Sequence, residues 1–562
     1  MGPVSTANLH PSVAERLARL APDQRAAATV PPGPVLCVAP AGSGKTTVLV
    51  ARIAWSIDGG ASPAEITAMT FNRRAAEELR ERVDPAVAPL GVSPGAVRVG
   101  TFHALGRRIL LDAGVDAART VADRESIVRS LWPKASAADV RGLDDAFSRL
   151  KLDAFVTAGE VARDPEPGPV GEAFVTYQRA LAAGGQLDFD DLVAEAVRRL
   201  ERDGALLGAW RRRATHLLVD EAQDLDRTQL RLAFLLAAPL NRIFLVGDDD
   251  QSIYGWRLAD VRRILGLAES LPGLTRLDLE VNYRCPDVVV RRADRLIRTN
   301  VARFAKKIRA RADAPGAIIL AADAGDDEAR AARVLQDWPD DDATRAFLAR
   351  TNRGLHPAAI AALEAGRAFA APDLELLVES PILDGLMATI AARMDPHRPF
   401  LPTLAAALDR DTATATDPNA SAAEPAAAAV LAAAVLGWAA RYANLSALIA
   451  AIAETRERLA RLRRDDAPLV LATAHSTKGL EFDHVAVVDM DEGRFPSGRA
   501  LAEAADPVRA MEEERRLAYV AWTRARRTLT LVFDPGAPSP FLREAFDPEE
   551  LAPIPARDGK PR

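Results

Sequence analysis

The sequence predicts an α/β protein made of two parallel-sheet domains with helical insertions. Three observations lead there. From residue 34 onward, short apolar runs alternate with amphipathic stretches, the pattern of parallel strands covered by helices. The runs fall into two groups, separated by a long segment without strand character. The chain of 562 residues is too long for one ordinary domain and suits two to four, and 49% hydrophobic against 27% charged residues supplies large cores and excludes wholesale disorder.

The first group of candidate strands is 34–39, 66–70, 97–101, 216–220 and 243–247. Between 101 and 188 helical periodicity dominates, which predicts a helical insertion. The second group is 317–321, 345–349, 469–473, 485–489 and 528–533. The segment 375–465 is Ala-rich and strandless. Its middle, 409–428, is a low-complexity run of Thr, Ala, Asp and Pro and reads as a flexible loop. Residues 443–464 read as an amphipathic helix with Leu445, Leu448, Ile449, Ile452 and Leu459 on one side. The expected division is 1–105 with 186–275, an insertion at 106–185, a second α/β domain at 276–374 with 466–546, a reduced insertion at 375–465, and a flexible tail at 547–562.

Several classes are excluded at this stage. No run of about 18 apolar residues and no signal-peptide pattern occurs, so neither membrane spanning nor secretion is expected. Two cysteines, Cys37 and Cys285, build neither a disulfide framework nor a four-cysteine zinc site, and a reducing cytoplasm fits them. A net charge of −6 argues against binding nucleic acid through a bulk positive field, though not against a local basic channel. The 72 basic residues are nearly all Arg, which together with the Ala enrichment reads as coding bias.

Chemistry enters at Ala39-Pro40-Ala41-Gly42-Ser43-Gly44-Lys45-Thr46, which follows a strand and opens a helix. It fits the P-loop pattern except that Ala39 stands for the first Gly. Gly42 and Gly44 let the backbone N–H groups of 41–45 wrap a polyphosphate where helix dipole and orphan donors both favour anions. Lys45 would reach the β- and γ-phosphates and Thr46 would ligate Mg²⁺. Leu217-Leu218-Val219-Asp220-Glu221 then delivers two carboxylates at a strand's C-terminal end. Asp220 would hold the metal and Glu221 would orient or deprotonate the attacking water. The residues alone thus predict an Mg²⁺-dependent nucleoside triphosphatase. Gly247-Asp248-Asp249-Asp250-Gln251-Ser252-Ile253-Tyr254-Gly255-Trp256-Arg257 adds an amide, two aromatics and an Arg after a buried strand. Those aromatics either stack on unpaired bases or pack into a core, and spacing does not choose between the two.

Taken in order over about residues 20–535, these blocks resemble a superfamily 1 helicase of the UvrD/Rep/PcrA type. The resemblance implies two RecA-like domains, ATP and Mg²⁺ as cofactors, and single-stranded and 3′-tailed duplex DNA as partners. Gln24 resembles the adenine-reading Q motif. Thr70-Phe71-Asn72 and Gly100-Thr101-Phe102-His103 resemble single-strand contact motifs, and Leu187-Asp188-Phe189-Asp190-Asp191-Leu192 matches a further block. In Asn282-Tyr283-Arg284 the Tyr would stack on adenine and the Arg would touch the γ-phosphate. In His475-Ser476-Thr477-Lys478-Gly479-Leu480-Glu481-Phe482, Glu481 would meet the ribose and His475 the DNA. Arg524, in Thr523-Arg524-Ala525-Arg526, would be the arginine finger. The implied catalytic set is Lys45, Asp220, Glu221, Gln251, Arg284 and Arg524. The implied nucleotide set is Gln24, Ala41, Gly42, Ser43, Gly44, Lys45, Thr46, Thr47, Tyr283, Arg284, Glu481 and Arg524. The implied DNA set is Phe71, His103, Tyr254, Trp256, Arg257 and His475.

The chain departs from the family pattern at several places. Thr47 stands where Arg is usual, Asn72-Arg73-Arg74 replaces Thr-Asn-Lys, Ser497 stands where His is common, and Cys285 replaces a Ser. Only about ninety residues fill the place of the family's 2B domain. The resemblance implies 3′→5′ translocation and duplex unwinding in DNA repair or replication. The alternatives are a translocase that strips proteins or needs a partner to unwind, and a nucleotide-gated DNA-binding module with negligible turnover.

Overall fold

The computed structural model describes residues 9–115, 121–393, 399–414 and 434–551. Strands β1 (Val35–Val38), β2 (Ile66–Thr70), β3 (Arg98–Thr101), β4 (His216–Val219), β5 (Ile243–Gly247) and β6 (Thr275–Asp278) form a parallel sheet in the order β3-β2-β4-β5-β1-β6. β1, β2 and β5 are buried along their whole length, which explains why they read as continuous apolar runs rather than alternating ones. β7 (Val281–Asn282) and β8 (Arg309–Ala310) make a short parallel pair. β9 (Ala317–Ala322), β10 (Arg345–Ala349), β11 (Leu469–Thr473), β12 (Phe482–Val487) and β13 (Ala525–Phe533) form a second parallel sheet in the order β11-β10-β12-β13-β9. The mixed α/β class and two parallel sheets match the sequence expectation.

Parallel pairing decides where chemistry collects. Val38 lies opposite Gly247, Met69 opposite Val219, and Thr70 opposite Thr101. The loops after β1 to β5 therefore all leave the first sheet at one edge, where α/β sheets bind ligands. The second sheet offers that region the N-terminal ends of β12 and β13 instead, which places Glu481 and Arg524 at its near side. The loop between β11 and β12 runs the height of the sheet to connect the two ends.

Four differences from the expected layout follow from local physics. The strand expected at 485–489 lies at Phe482–Val487, because Asp489 takes a left-handed φ of 60° and turns the chain. The first sheet continues past residue 275 through β6, a half-exposed edge strand whose Arg276 and Asp278 pair at 2.7 Å. Helix Phe400–Thr414 extends into the expected 409–428 loop, and 415–428 lies outside the described residues. The expected loose tail starts with helix Pro548–Leu551, held by Arg295–Asp547 at 2.9 Å and Arg292–Glu550 at 2.6 Å, while 552–562 lies outside the described residues.

The insertions are helical. Within 375–465 the described helices share a small core of Leu383, Met387, Ile390, Leu404, Leu448 and Ile452. Helix Leu445–Leu462 buries Leu448, Ile452 and Leu459, but Ile449 faces solvent. No helix among the described residues is long and apolar enough to cross a membrane.

Candidate active site and nucleic-acid interface

The turn after β1 works only with glycine. Gly42 and Gly44 have φ of 66° and 85°, and a Cβ at Gly42 would lie 2.8 Å from Asn282 Oδ1. Helix Lys45–Asp58 starts directly after the turn, so its first N–H groups face the cleft that the turn borders. The cleft measures about 800 Å³ and lies between the sheets, with Gly42, Ser43, Gly44, Lys45, Thr46 and Thr47 on one wall and Tyr283, Arg284, Glu481 and Arg524 on the other. Asp220, Glu221 and Gln251 complete it. Ser43 Oγ is buried without a hydrogen-bond partner, an orphan that a polyphosphate bound in the turn would satisfy.

Lys45 Nζ donates to Ala39 O at 3.3 Å and stands 4.0 Å from Glu221 Oε1, so no tight ion pair occupies it. Burial, then the neighbouring Glu221, push the Asp220 carboxyl up to about 7. Burial would also raise Glu221, but Lys45 and Lys478 outweigh it and hold that carboxylate below its usual range. Glu221 sits at a left-handed φ of 51°, with Gln223 Nε2 donating to it at 2.6 Å. Among the described residues no cluster of three or more His, Cys, Asp or Glu is arranged to hold a metal alone. Asp220 and Thr46 fit a divalent cation that shares its shell with the nucleotide's oxygens and water, and the cation would compensate a buried carboxylate that Lys45 and Lys478 do not fully offset.

From the second sheet, Arg524 is buried yet borders the cleft. It donates to Val520 O at 2.8 Å, Leu480 O at 3.1 Å and Gln251 Oε1 at 3.2 Å. Burial, then Arg284, lower its guanidinium to about 9, so it stays charged near neutral pH. Arg284 Nε donates to Glu481 Oε2 at 2.7 Å, and Tyr283 is 38% exposed beside the cleft. Lys478 bridges the sheets: it pairs with Asp224 and donates to Gln251 O at 2.8 Å.

Two expected nucleotide contacts look elsewhere. The Gln24 amide donates to Ser43 O at 2.8 Å and accepts from Ala21 N at 3.2 Å, bracing the turn from behind rather than lining the cleft. Ala41 is buried in the second domain's core cluster, and only its backbone belongs to the turn.

The DNA set converges on a separate groove of about 470 Å³. Phe71, Arg73, His103, Trp256 and Arg257 line it. Asn72 caps helix Arg73–Val87 and Thr101 caps helix Phe102–Asp112, which fixes the turns that aim Phe71 and His103. Trp256 is 59% exposed with the Arg257 guanidinium 4.6 Å from its ring, so it is no core residue. Tyr254 stands behind it, stacked on Phe71 at 4.9 Å, and its hydroxyl donates to His475 O at 3.5 Å. His475 thus lies in the row behind the groove, and burial lowers it to about 4.

Phe189 was not singled out in the sequence set, yet it is 55% exposed in this groove and stacks on His103 at 3.9 Å. Its neighbours are clamped: Lys151 and Tyr177 each meet Asp188 at 2.7 Å, and Arg124 pairs with both Asp188 and Asp190. Asp188, Asp190 and Asp191 are themselves buried while Phe189 is exposed, an inversion of the usual pattern that no local signal in the run discloses.

The fold and cleft define a P-loop nucleoside triphosphatase on two parallel sheets. A family model for the UvrD/REP helicase N-terminal domain matches residues 20–272, and one for the UvrD-like helicase C-terminal domain matches 437–534. DNA helicase II of Escherichia coli (strain K12) is 30% identical over an alignment of 611 positions, covering 91% of this chain and 84% of its own. DNA helicase II of Salmonella typhimurium shares 30% over 91% and 84%. The ATP-dependent DNA helicase PcrA of Staphylococcus aureus (strain Mu50) shares 34% over 50% of this chain and 40% of its own. The chain belongs to the UvrD/Rep helicase family.

Proposed function

We propose that the protein is an ATP-driven DNA helicase that translocates 3′→5′ on single-stranded DNA and unwinds duplex. Family membership supports the helicase activity. One observation carries the motor reading: the loop between β11 and β12 touches both regions, with His475 beside Tyr254, Lys478 on Asp224 and Gln251, and Glu481 on Arg284. A movement of the second sheet against the first therefore shifts the groove and the cleft together.

In this reading the amides of 41–45 and Lys45 hold the phosphates, and Thr46 and Asp220 hold Mg²⁺. When bound with the nucleotide, the ion neutralises charge on the phosphate oxygens. Glu221 positions water and takes its proton. Arg284 and Arg524 bring positive charge to the γ-phosphate from the second sheet, so hydrolysis removes what holds the halves closed. Tyr283 offers a face to the base and Glu481 an acceptor to the ribose. Phe71, His103, Phe189, Trp256 and Arg257 hold unpaired bases. Residues 106–185 and 375–465 are insertions of the 1B and reduced 2B type, and the protein works in the cytoplasm in DNA repair or replication.

Unwinding of 3′-tailed and 5′-tailed duplexes with ATP tests this. The 3′-tailed substrate is expected to be opened and the 5′-tailed one left intact. Equal opening of both, or of the 5′ tail only, overturns the polarity. DNA-stimulated hydrolysis with no unwinding of either would favour the translocase that needs a partner.

A further inference from the structure

A short strap joins the two halves away from the cleft. At one end Asn300 Nδ2 donates to Glu512 O at 3.0 Å, Val301 N donates to Glu512 Oε1 at 2.6 Å, and Arg516 donates to Ala302 O at 2.7 Å. These partners lie on helix Pro507–Trp522, which leads directly to Arg524. At the other end the strap enters three consecutive carboxylates of the first half. Arg303 donates to both oxygens of Asp250 at 2.9 and 2.7 Å, and Phe304 N donates to Asp249 Oδ2 at 2.8 Å. Lys306, with a fully buried side chain, reaches Asp248, Asp249 and Asp250 at 2.7, 2.5 and 2.9 Å.

Asp248 is the branch point. Its Oδ1 takes Lys306, while its Oδ2 accepts from Gln251 Nε2 at 2.7 Å. That bond fixes which way the Gln251 amide faces, and its Oε1 then accepts from Arg524 at 3.2 Å. Reversed, the amide would present a donor to a guanidinium, which has donors only.

We propose that Lys306 is a positioning residue for ATP hydrolysis: by holding Asp248 it sets the orientation of Gln251, and through Gln251 the placement of Arg524. The inference rests on the motor reading above. Burial alone would raise the Asp248 carboxyl, but Lys306 and Lys45 outweigh it and keep it an ionised acceptor. The Lys306 ammonium does not line the cleft itself; the hydrogen bonds offer its effect the path Lys306–Asp248–Gln251–Arg524, and the Gln251→Ala background separates this path from one through helix Pro507–Trp522.

The test is steady-state ATP hydrolysis by the full chain with saturating single-stranded DNA. The variants are Gln251→Ala, Asp249→Asn, Lys306→Met with Asp249→Asn, and that pair with Gln251→Ala. Asp249→Asn restores the net charge of the buried cluster when Lys306 is lost, and thermal melting verifies the fold. Asp248→Asn, which preserves volume, is a second route to the same lesion should the pair not fold. Misplacement of a catalytic group costs on the order of 10²-fold, so kcat of the Lys306/Asp249 pair or of Asp248→Asn should fall by tenfold or more. KM for ATP should change less than about threefold, and Gln251→Ala should add little on top. An unchanged kcat, or a Gln251→Ala effect as large in the altered background as in the wild type, overturns the role of Lys306. If DNA fails to stimulate the wild type, or Gln251→Ala hydrolyses ATP as fast as the wild type, the motor reading itself fails and this inference with it.

Discussion

The cleft and the groove lie at the same edge of the first sheet yet are lined differently, the cleft by charged side chains around a glycine turn and the groove by exposed rings. The cleft sets Lys45, Arg284, Arg524, Arg526 and Arg527 among Asp220, Glu221, Glu481 and Asp483, whereas the groove sets Asp144, Asp145, Asp190, Asp224 and Asp226 beside Arg73, Arg149 and Arg257. An arginine-lined cleft suits a polyphosphate. In the proposed binding mode a strand in the groove would turn base faces toward Phe71, Phe189 and Trp256, with Arg73, Arg149 and Arg257 within the same lining for its phosphates. The net charge of −6 describes neither region. In the proposed function the cleft operates by placing charges and the groove by exposing aromatic faces, so mutations should separate the two.

The largest effect should come from the cleft. Arg524→Ala is expected to lower DNA-stimulated turnover by about 10³-fold or more while DNA affinity in the absence of nucleotide holds. Normal turnover in that variant would remove Arg524 from the reaction. In the groove, Trp256→Ala should weaken single-strand binding by about 1–3 kcal/mol. A Trp that is 59% exposed contributes little to the core, so melting should barely move; a stability loss of about 3–5 kcal/mol, typical of a buried Trp, would mean the ring packs inward in solution.

Phe189→Ala should have a smaller effect, about 1 kcal/mol in DNA affinity, with ATP KM unchanged in the absence of DNA. Fluorescence anisotropy of a labelled oligonucleotide gives the first quantity and phosphate release the second. Unaltered affinity would make Phe189 a mere partner of His103.

The smallest effect concerns Asp226 in the groove's lining. Asp226 caps helix Arg227–Ala237, accepting from Gln229 N at 2.8 Å, and burial pushes its carboxyl up to about 7. The folded form thus binds this proton more tightly than the unfolded chain. Its stabilisation is full below about pH 4 and is lost as pH rises through 7. Asn keeps the cap without a proton to lose, so Asp226→Asn should shrink the loss of unfolding free energy between pH 5.5 and 8, measured by denaturant titration, by on the order of 1 kcal/mol. An unchanged pH slope would contradict the assignment.

The two regions also differ in how much of them the sequence disclosed. The cleft was legible because its parts are contiguous runs, each carried by one turn: 39–46, 217–221, 282–284 and 523–526. Strands 243–247 and 345–349 were legible because burial on both faces makes their sequences apolar throughout, save Arg345 at the start of the second. The groove was harder to read, since it is assembled from the segments after β2, β3, β4 and β5 and from the helical insertion, and no local pattern tells an exposed ring from a buried one. Phe189 depends on Lys151 and Arg124, far away in sequence. Lys306 lies in a Lys306-Lys307 pair that reads as surface, and only the fold closes three carboxylates around it. Gln24 was identified as a motif residue, but its direction depends on the Ser43 carbonyl beneath it.

The central claim is that occupation of the groove governs chemistry in the cleft. Phosphate release at saturating ATP, measured with and without an unstructured single-stranded oligonucleotide, tests it directly. The account predicts manyfold faster release with the oligonucleotide for the wild type, and for Trp256→Ala a higher oligonucleotide concentration to reach half of that stimulation. Equal rates with and without DNA in the wild type would contradict it.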